Sequence, residues 1–490
     1  MDKDKEKNKD KDKKNKEKHS KLSEQMDHGI EKLEKIEQNL SEKENKMGVL
    51  PINKLIWSMS IPAMLSMFIN ALYNIVDSIF VARISESALA AVTLVFPVQM
   101  LIVSVGVGTG VGINSLIARR LGAKRQEEAN RAADHGFILG FFSWVIFAIF
   151  GFFFSKPFIG LFTDDPFIYE NASVYLTIVT TLSFFAFMAV VTEKVLQATG
   201  NMLFPMIFNI LGAVINIILD PILIFGLFGL PKLGVAGAAI ATVIGQMAAM
   251  IVALFMLFHY DHHVQISFRK FKLKWKIIKD IYVVGIPSII MLSIGSLMTT
   301  CLNAILIRFT ETAVAVLGAY FRLNSFIFMP IFGLNQGTLP IMGYNYGAKN
   351  KDRLMTAYKS GLKIAIVIMA IGTAIFWLFT EQLLMMFSAS PEMLEIGIPA
   401  LRIISICFVA AAFSIITTGM FQALAHGFLS MMVALLRQLI MVVPLTYILT
   451  WQFGLGAAWF SFPIAEIGST IITLIFLRYI YNKEIKPLGV

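Results

Sequence analysis

The sequence is poor in cysteine and poor in charge. Two cysteines in 490 residues, Cys301 and Cys407, cannot build a disulfide framework or a cysteine-based metal site. Only 15% of residues are charged, too few for a soluble chain of this length. The first thirty residues contain no apolar run, so no secretory signal is expected. Gly106 to Gly112 reads GVGTGVG, which fits neither GxGxxG nor GxxxxGK[ST]. It lies within an apolar run, where close helix packing explains it better. His262 and His263 beside Asp261 fall in a basic loop, and solvated side chains fit them better than metal ligands. No His, Ser and Asp set or metal-ligand set is spaced for catalysis. The expectation is a chain that is not an enzyme, holds no metal or cofactor, and binds no nucleic acid.

What is abundant is apolar: 57% of residues are hydrophobic and the mean hydropathy is +0.71, which places the chain in lipid. Residues 1–46 hold 14 Lys and 13 acidic residues, and such a mixed-charge segment buries too little to offset the entropy of ordering. A disordered cytoplasmic tail is expected there, with Ile30, Leu33, Ile36 and Leu40 able to line one face of a short amphipathic helix. After residue 54, apolar runs close to the ~20 residues that cross a bilayer recur twelve times. They are spans 1 to 12: 55–82, 88–118, 136–157, 171–197, 203–226, 234–258, 281–308, 313–341, 361–379, 394–424, 428–450 and 456–478.

Basic residues set the orientation, because they stay on the cytoplasmic side of short loops. Spans 2 and 3 are joined through Arg119, Arg120, Lys124, Arg125 and Arg131. Spans 6 and 7 are joined through Arg269, Lys270, Lys272, Lys274, Lys276 and Lys279. Spans 8 and 9 are joined through Lys349, Lys351, Arg353, Lys359 and Lys363, whereas the opposite connections offer only Arg83, Lys156, Lys232 and Arg308. Both termini are then cytoplasmic, in the cell membrane.

The chain also repeats itself. Ile61-Pro62 returns as Ile286-Pro287, Gly108 and Gly112 as Gly333 and Gly337, Gly122-Ala123-Lys124 as Gly347-Ala348-Lys349, and Gln197-Ala198 as Gln422-Ala423, always 225 residues on. After span 5 the offset is 220, pairing Gly234 with Gly454 and Gln246 with Glu466. Six spans per half is an even number, so both halves enter the membrane in the same sense and enclose a central cleft. The expected fold is an all-α polytopic membrane protein with twelve transmembrane helices in two homologous six-helix bundles. The expected parts are the tail 1–46, an N-terminal lobe 50–258, a cytoplasmic linker 259–280, a C-terminal lobe 281–480 and a cytoplasmic tail 481–490.

Ionisable groups inside spans are costly and therefore functional candidates. In span 1, Asn70, Asn74 and Asp77 share one helical face; in span 5, Asn209, Asn216 and Asp220 do the same. Asp77 and Asp220 lie at a similar depth, which suits a proton site or a small cation held by oxygens. Glu466 and Arg437 fall near the midplane in spans 12 and 11, where a structural ion pair and a substrate contact are both open. Glu193 and Lys194 are close enough to the end of span 4 to reach water, while Arg322 and Arg402 read equally as pocket-lining or structural. Abundant Met (26) and Phe (41) suit an adaptable pocket.

With NIVDSIFVAR from Asn74 to Arg83 and INIILDP from Ile215 to Pro221, residues 50–480 resemble the multidrug and toxic compound extrusion (MATE) family. The resemblance implies a secondary antiporter that exports drug-like, cationic organic compounds in exchange for H⁺ or Na⁺ by rocking of two lobes, in lipid and as a monomer. It implies that Asp77, Asn216 and Asp220 form the cation site of the N-terminal lobe and that Pro62 marks a bend in span 1. Many members carry a second acidic site on spans 7 and 10; here span 7 has no acidic residue and span 10 only Glu395 in its first turn, and Leu302 and Asn303 stand opposite Asp77 in the repeat. The alternative within the same superfamily is a lipid-linked saccharide flippase, which calls for extra spans and an Arg-rich cleft.

Overall fold

The computed structural model describes residues 45–260, 262–267, 269 and 271–488. The tail expected over 1–46 and the stripe Ile30, Leu33, Ile36 and Leu40 lie outside them, save residues 45 and 46. Residues 45–51 carry a one-turn helix, Lys46–Val49, whose Met47 N–H is accepted by the Asn45 side chain at 3.0 Å.

From Ile52 onward the regular structure among the described residues is all helix. Ten helices are long and apolar enough to cross a membrane: Ile52–Ala82, Glu86–Gly122, Gln126–Ile159, Leu203–Phe225, Val235–His259, Trp275–Leu306, Glu311–Gly347, Lys351–Leu378, Gly427–Phe453 and Leu455–Ile485. Two bent pairs complete the set, Pro166–Thr181 with Phe184–Ala198 and Pro391–Ser405 with Phe408–Ala423, bent by 43° and 48°. Counted as one span each, they become spans 4 and 10 of twelve. Their breaks, at Leu182-Ser183 and Ile406-Cys407, stand at corresponding positions of the two halves. Several helices run past their apolar limits into the charged connections. Span 3 starts at Gln126 and span 9 at Lys351, where Glu, Gln, Lys and Arg favour helix and the exposed backbone can be solvated. Span 12 likewise continues beyond residue 480 through a π-helical turn, Tyr481–Ile485.

The repeated glycines are where the halves meet. A Cβ added at Gly108 would lie 2.6 Å from the backbone nitrogen of Ile289 in span 7, and one at Gly112 would collide with the carbonyl oxygen of Ile281. Their counterparts Gly333 and Gly337 press on span 1, where an added Cβ would lie 2.6 Å from Met64 Cα and 2.9 Å from Ser60 N. Small residues let helix backbones approach this closely, and in lipid such packing is a main source of helix association. GVGTGVG is thus a packing surface.

Hydrogen bonds follow the glycines. Ser115 Oγ donates to the Gln422 carbonyl at 2.6 Å, Arg120 reaches Asp280 at 3.2 Å, and Ser360 donates to Asn53 at 2.9 Å. Every one of these contacts lies in the half of the bundle next to the basic connections, hereafter the basic end. The other end of the bundle is the far end.

Candidate ion and substrate site

Span 1 ends at Ala82 and span 5 at Phe225, so Asp77 and Asp220 both sit five residues from the far end. The two helices pack against each other, and the two carboxyl groups face one another within hydrogen-bonding reach. Asp220 is fully buried and Asn216 is 2% exposed. In either orientation of its amide, Asn216 donates to an Asp220 carboxylate oxygen at 3.3 Å; the Thr242 hydroxyl of span 6 lies 3.4 Å from the same amide. One Asp77 oxygen, Oδ1, is buried with no protein partner among the described residues.

Sequence reading missed three contributors. The phenols of Tyr73 and Tyr175 lie close to both carboxyl groups, and Gln99 Nε2 donates to Tyr175 Oη at 3.1 Å. Tyr73 stands four residues before Asp77 on the same helical face, and Gln99 is an amide within an apolar span, so both carried a usable signal. Tyr175 did not, because a phenol within an apolar helix reads as ordinary packing.

The polar stripes do not act as one unit. Asn74 is exposed, and its side chain donates to the Asn70 carbonyl at 2.7 Å. Asn209 turns to the basic end, 3.1 Å from Glu193 and 3.3 Å from Ser66. Lys194, expected to reach water, is 3% exposed; it is held inside the bundle by span 8, which its own helix could not reveal. Pro62 stands within the uninterrupted helix Ile52–Ala82.

The other half holds a different arrangement. Glu466 is buried, accepting from Ser414 at 2.9 Å and from Arg437 at 3.4 Å. Arg437 lies in a π-helical stretch, Leu436–Val442, and Tyr320 and Cys407 border the pair. Positions 225 residues on from Tyr73, Asp77, Tyr175, Asn216 and Asp220 are Met298, Leu302, Ala400, Met441 and Leu445. None of these can carry charge. Arg402 donates to Thr380 at 3.2 Å.

The family model described as MatE matches this chain twice, over residues 62–222 and 287–448, with starts 225 residues apart. The chain belongs to the MatE family. Among its relatives, the multidrug export protein MepA of Staphylococcus aureus is 26% identical over 88% of this chain and 95% of MepA. An FAD transporter of Shewanella oneidensis is 24% identical over 85% of this chain and 92% of that protein. A solved structure titled as the outward-facing conformation of a multidrug resistance MATE family transporter is 31% identical. It covers 89% of this chain and 97% of its own, with a TM-score of 0.83. The expected family and fold are therefore correct: this is a multi-pass membrane transporter of the MatE type, and members of that family are transporters rather than enzymes.

Proposed function

We propose that this MatE transporter exports small organic cations from the cell in exchange for protons, with Asp77 and Asp220 as the coupling site. The observation that carries this is the facing of two carboxyl groups, that of Asp220 fully buried and that of Asp77 partly so, with no basic side chain among the described residues bonded to either. Two bare carboxylates repel strongly at low dielectric, so the pair holds either a proton between them or a cationic group. Those occupants exclude each other, which is the physical requirement for antiport. Asn216 donates to the charged form of Asp220 and keeps the pair poised.

In this reading the basic end is cytoplasmic, and the molecule is closed there and faces outward. The two halves then rock about the cleft, and Pro62, which cannot donate a backbone hydrogen bond, marks where span 1 bends as the site loads. One chain carries both halves and the whole site, so it functions as a monomer in the lipid of the cell membrane. The parts 50–258 and 281–480, joined by 259–280, are its two moving lobes.

Asp77, Asp220, Asn216 and Thr242 also present an oxygen set of the kind that holds a sodium ion, which is the second reading for the coupling ion. Reconstituted protein loaded with a fluorescent organic cation separates them. A pH gradient alone should drive efflux, and a sodium gradient at equal pH on both sides should not. Efflux driven only by sodium would replace the proton. The relationship to an FAD transporter makes FAD the second substrate to assay. Efflux of FAD without efflux of cations would overturn the substrate class.

A further inference from the structure

The basic end holds a buried ion pair that the coupling site does not use. Lys194 Nζ donates to Glu193 Oε1 at 2.8 Å, to Gln197 Oε1 at 3.0 Å and to Gln336 Oε1 at 3.2 Å. An ammonium has three N–H groups, so the cation is saturated, and one of its three acceptors comes from span 8 in the other half. Gln336 Oε1 also accepts from Gln197 Nε2 at 3.2 Å, while the second Glu193 oxygen accepts from Asn209 at 3.1 Å.

The surroundings are built around this cation. A Cβ at Gly110 would lie 2.5 Å from Lys194 Cγ, so the third glycine of GVGTGVG makes room for the lysine stem. Gln336 sits between Gly333 and Gly337, the two glycines that press span 8 onto span 1. Its carboxamide therefore reaches Lys194 only while those helices are in contact.

We propose that Lys194 and Gln336 are positioning residues for transport, a latch that holds the halves together at the basic end and is released when that end opens. The proposal rests on the rocking of halves described under the proposed function. A buried ammonium that loses an acceptor without gaining water is strongly disfavoured. The latch thus penalises partial separation and favours two states, one shut with Gln336 bound and one open with water in its place. Glu193 and Gln197 stay with Lys194 in both, because all three belong to one helix.

The test is a distance measurement between spin labels at Glu127→Cys and Asp352→Cys, exposed residues on either side of the interface at the basic end. Cys301 and Cys407 are replaced by Ala, and the protein is reconstituted in lipid with and without a drug-like cation across a range of pH. Gln336→Met keeps the side-chain shape and removes the acceptor. It should raise the population of the long-distance, open form about tenfold, equivalent to about 1.4 kcal/mol. In a Glu193→Gln/Lys194→Met background the same substitution should shift the populations far less, because of the two bonds that Gln336 accepts only the one from Gln197 then remains to be lost. Should Gln336→Met fold poorly, Gln336→Asn withdraws the amide by one methylene and serves the same comparison. If the unsubstituted protein changes distance with pH or drug and Gln336→Met leaves the populations unaltered, the latch is wrong while rocking stands. A tenfold shift that persists in the double-substituted background also overturns it. A single distance under every condition overturns the rocking of halves and the latch together.

Discussion

The two halves share one backbone plan and differ in how they handle charge. In the N-terminal half, Asp77 and Asp220 face each other, and the polar groups recorded beside them among the described residues are amides, a hydroxyl and phenols. In the C-terminal half, the buried carboxylate of Glu466 already has a guanidinium and a hydroxyl. The neighbouring packing differs too. Gly212 of span 5 lies directly on Gly245 of span 6, where a Cβ would come within 2.9 Å of the Gly245 carbonyl oxygen. The position 225 residues after Gly212 is Arg437, which meets Glu466 from within a π-helical stretch instead. A compensated pair is stable as it stands, whereas an uncompensated pair needs an exchangeable partner. In the proposed reading, the N-terminal half is the one that keeps its site open to a proton or a cation.

The largest effect that would sharpen this contrast comes from the acid pair. Asp77→Asn or Asp220→Asn should lower gradient-driven efflux at least about a hundredfold, the scale of losing an essential proton-transfer group. Folding should survive, because each nearly isosteric change removes a costly buried charge. Efflux from proteoliposomes and melting in detergent, measured on the same preparation, check both halves of that statement.

The next effect falls on stability in the other half. Glu466→Gln strands the Arg437 guanidinium and should cost about 3–5 kcal/mol, while the double replacement Arg437→Leu/Glu466→Leu should come close to the unsubstituted protein. Denaturant titration in mild detergent reads this. If the double replacement instead abolished efflux while leaving stability untouched, the pair would be a transport site and the contrast between halves would fail.

Smaller still is the effect on the packing between halves. Gly337→Ala puts a methyl 2.6 Å from Ser60 Oγ and should cost about 1–3 kcal/mol. Gly318→Ala in the same helix meets nothing within 4 Å and should stabilise by about 0.5–1 kcal/mol through helix propensity. Thermal melts of the two variants should move in opposite directions. Deleting residues 1–46 should change efflux least, because a mixed-charge segment whose apolar residues amount to one short stripe has little docking energy. Loss of efflux at unchanged expression would show otherwise.

Much of this architecture was legible in the sequence because membrane constraints are blunt. Twelve apolar runs, a repeat at fixed offset and the placement of Asp77, Asn216 and Asp220 all follow from helical period and the cost of charge in lipid. The repeated glycines were visible, yet nothing local showed that Gly108 and Gly112 serve span 7 while Gly333 and Gly337 serve span 1. The breaks in spans 4 and 10 were hidden, since neither Leu182-Ser183 nor Ile406-Cys407 contains Pro or Gly. Lys194 was misplaced for a related reason: its burial depends on Gln336, 142 residues away, and no single-helix pattern reports that.

The most direct test of the central claim counts protons. Purified transporter in weakly buffered detergent near neutral pH, titrated with a drug-like cation, should release about one proton per bound drug as the cation displaces the proton shared by Asp77 and Asp220. Release should vanish in Asp77→Asn and Asp220→Asn and persist in Glu466→Gln. Proton release that survives in both aspartate variants, or that is lost in Glu466→Gln with both aspartates intact, would contradict coupling in the N-terminal half.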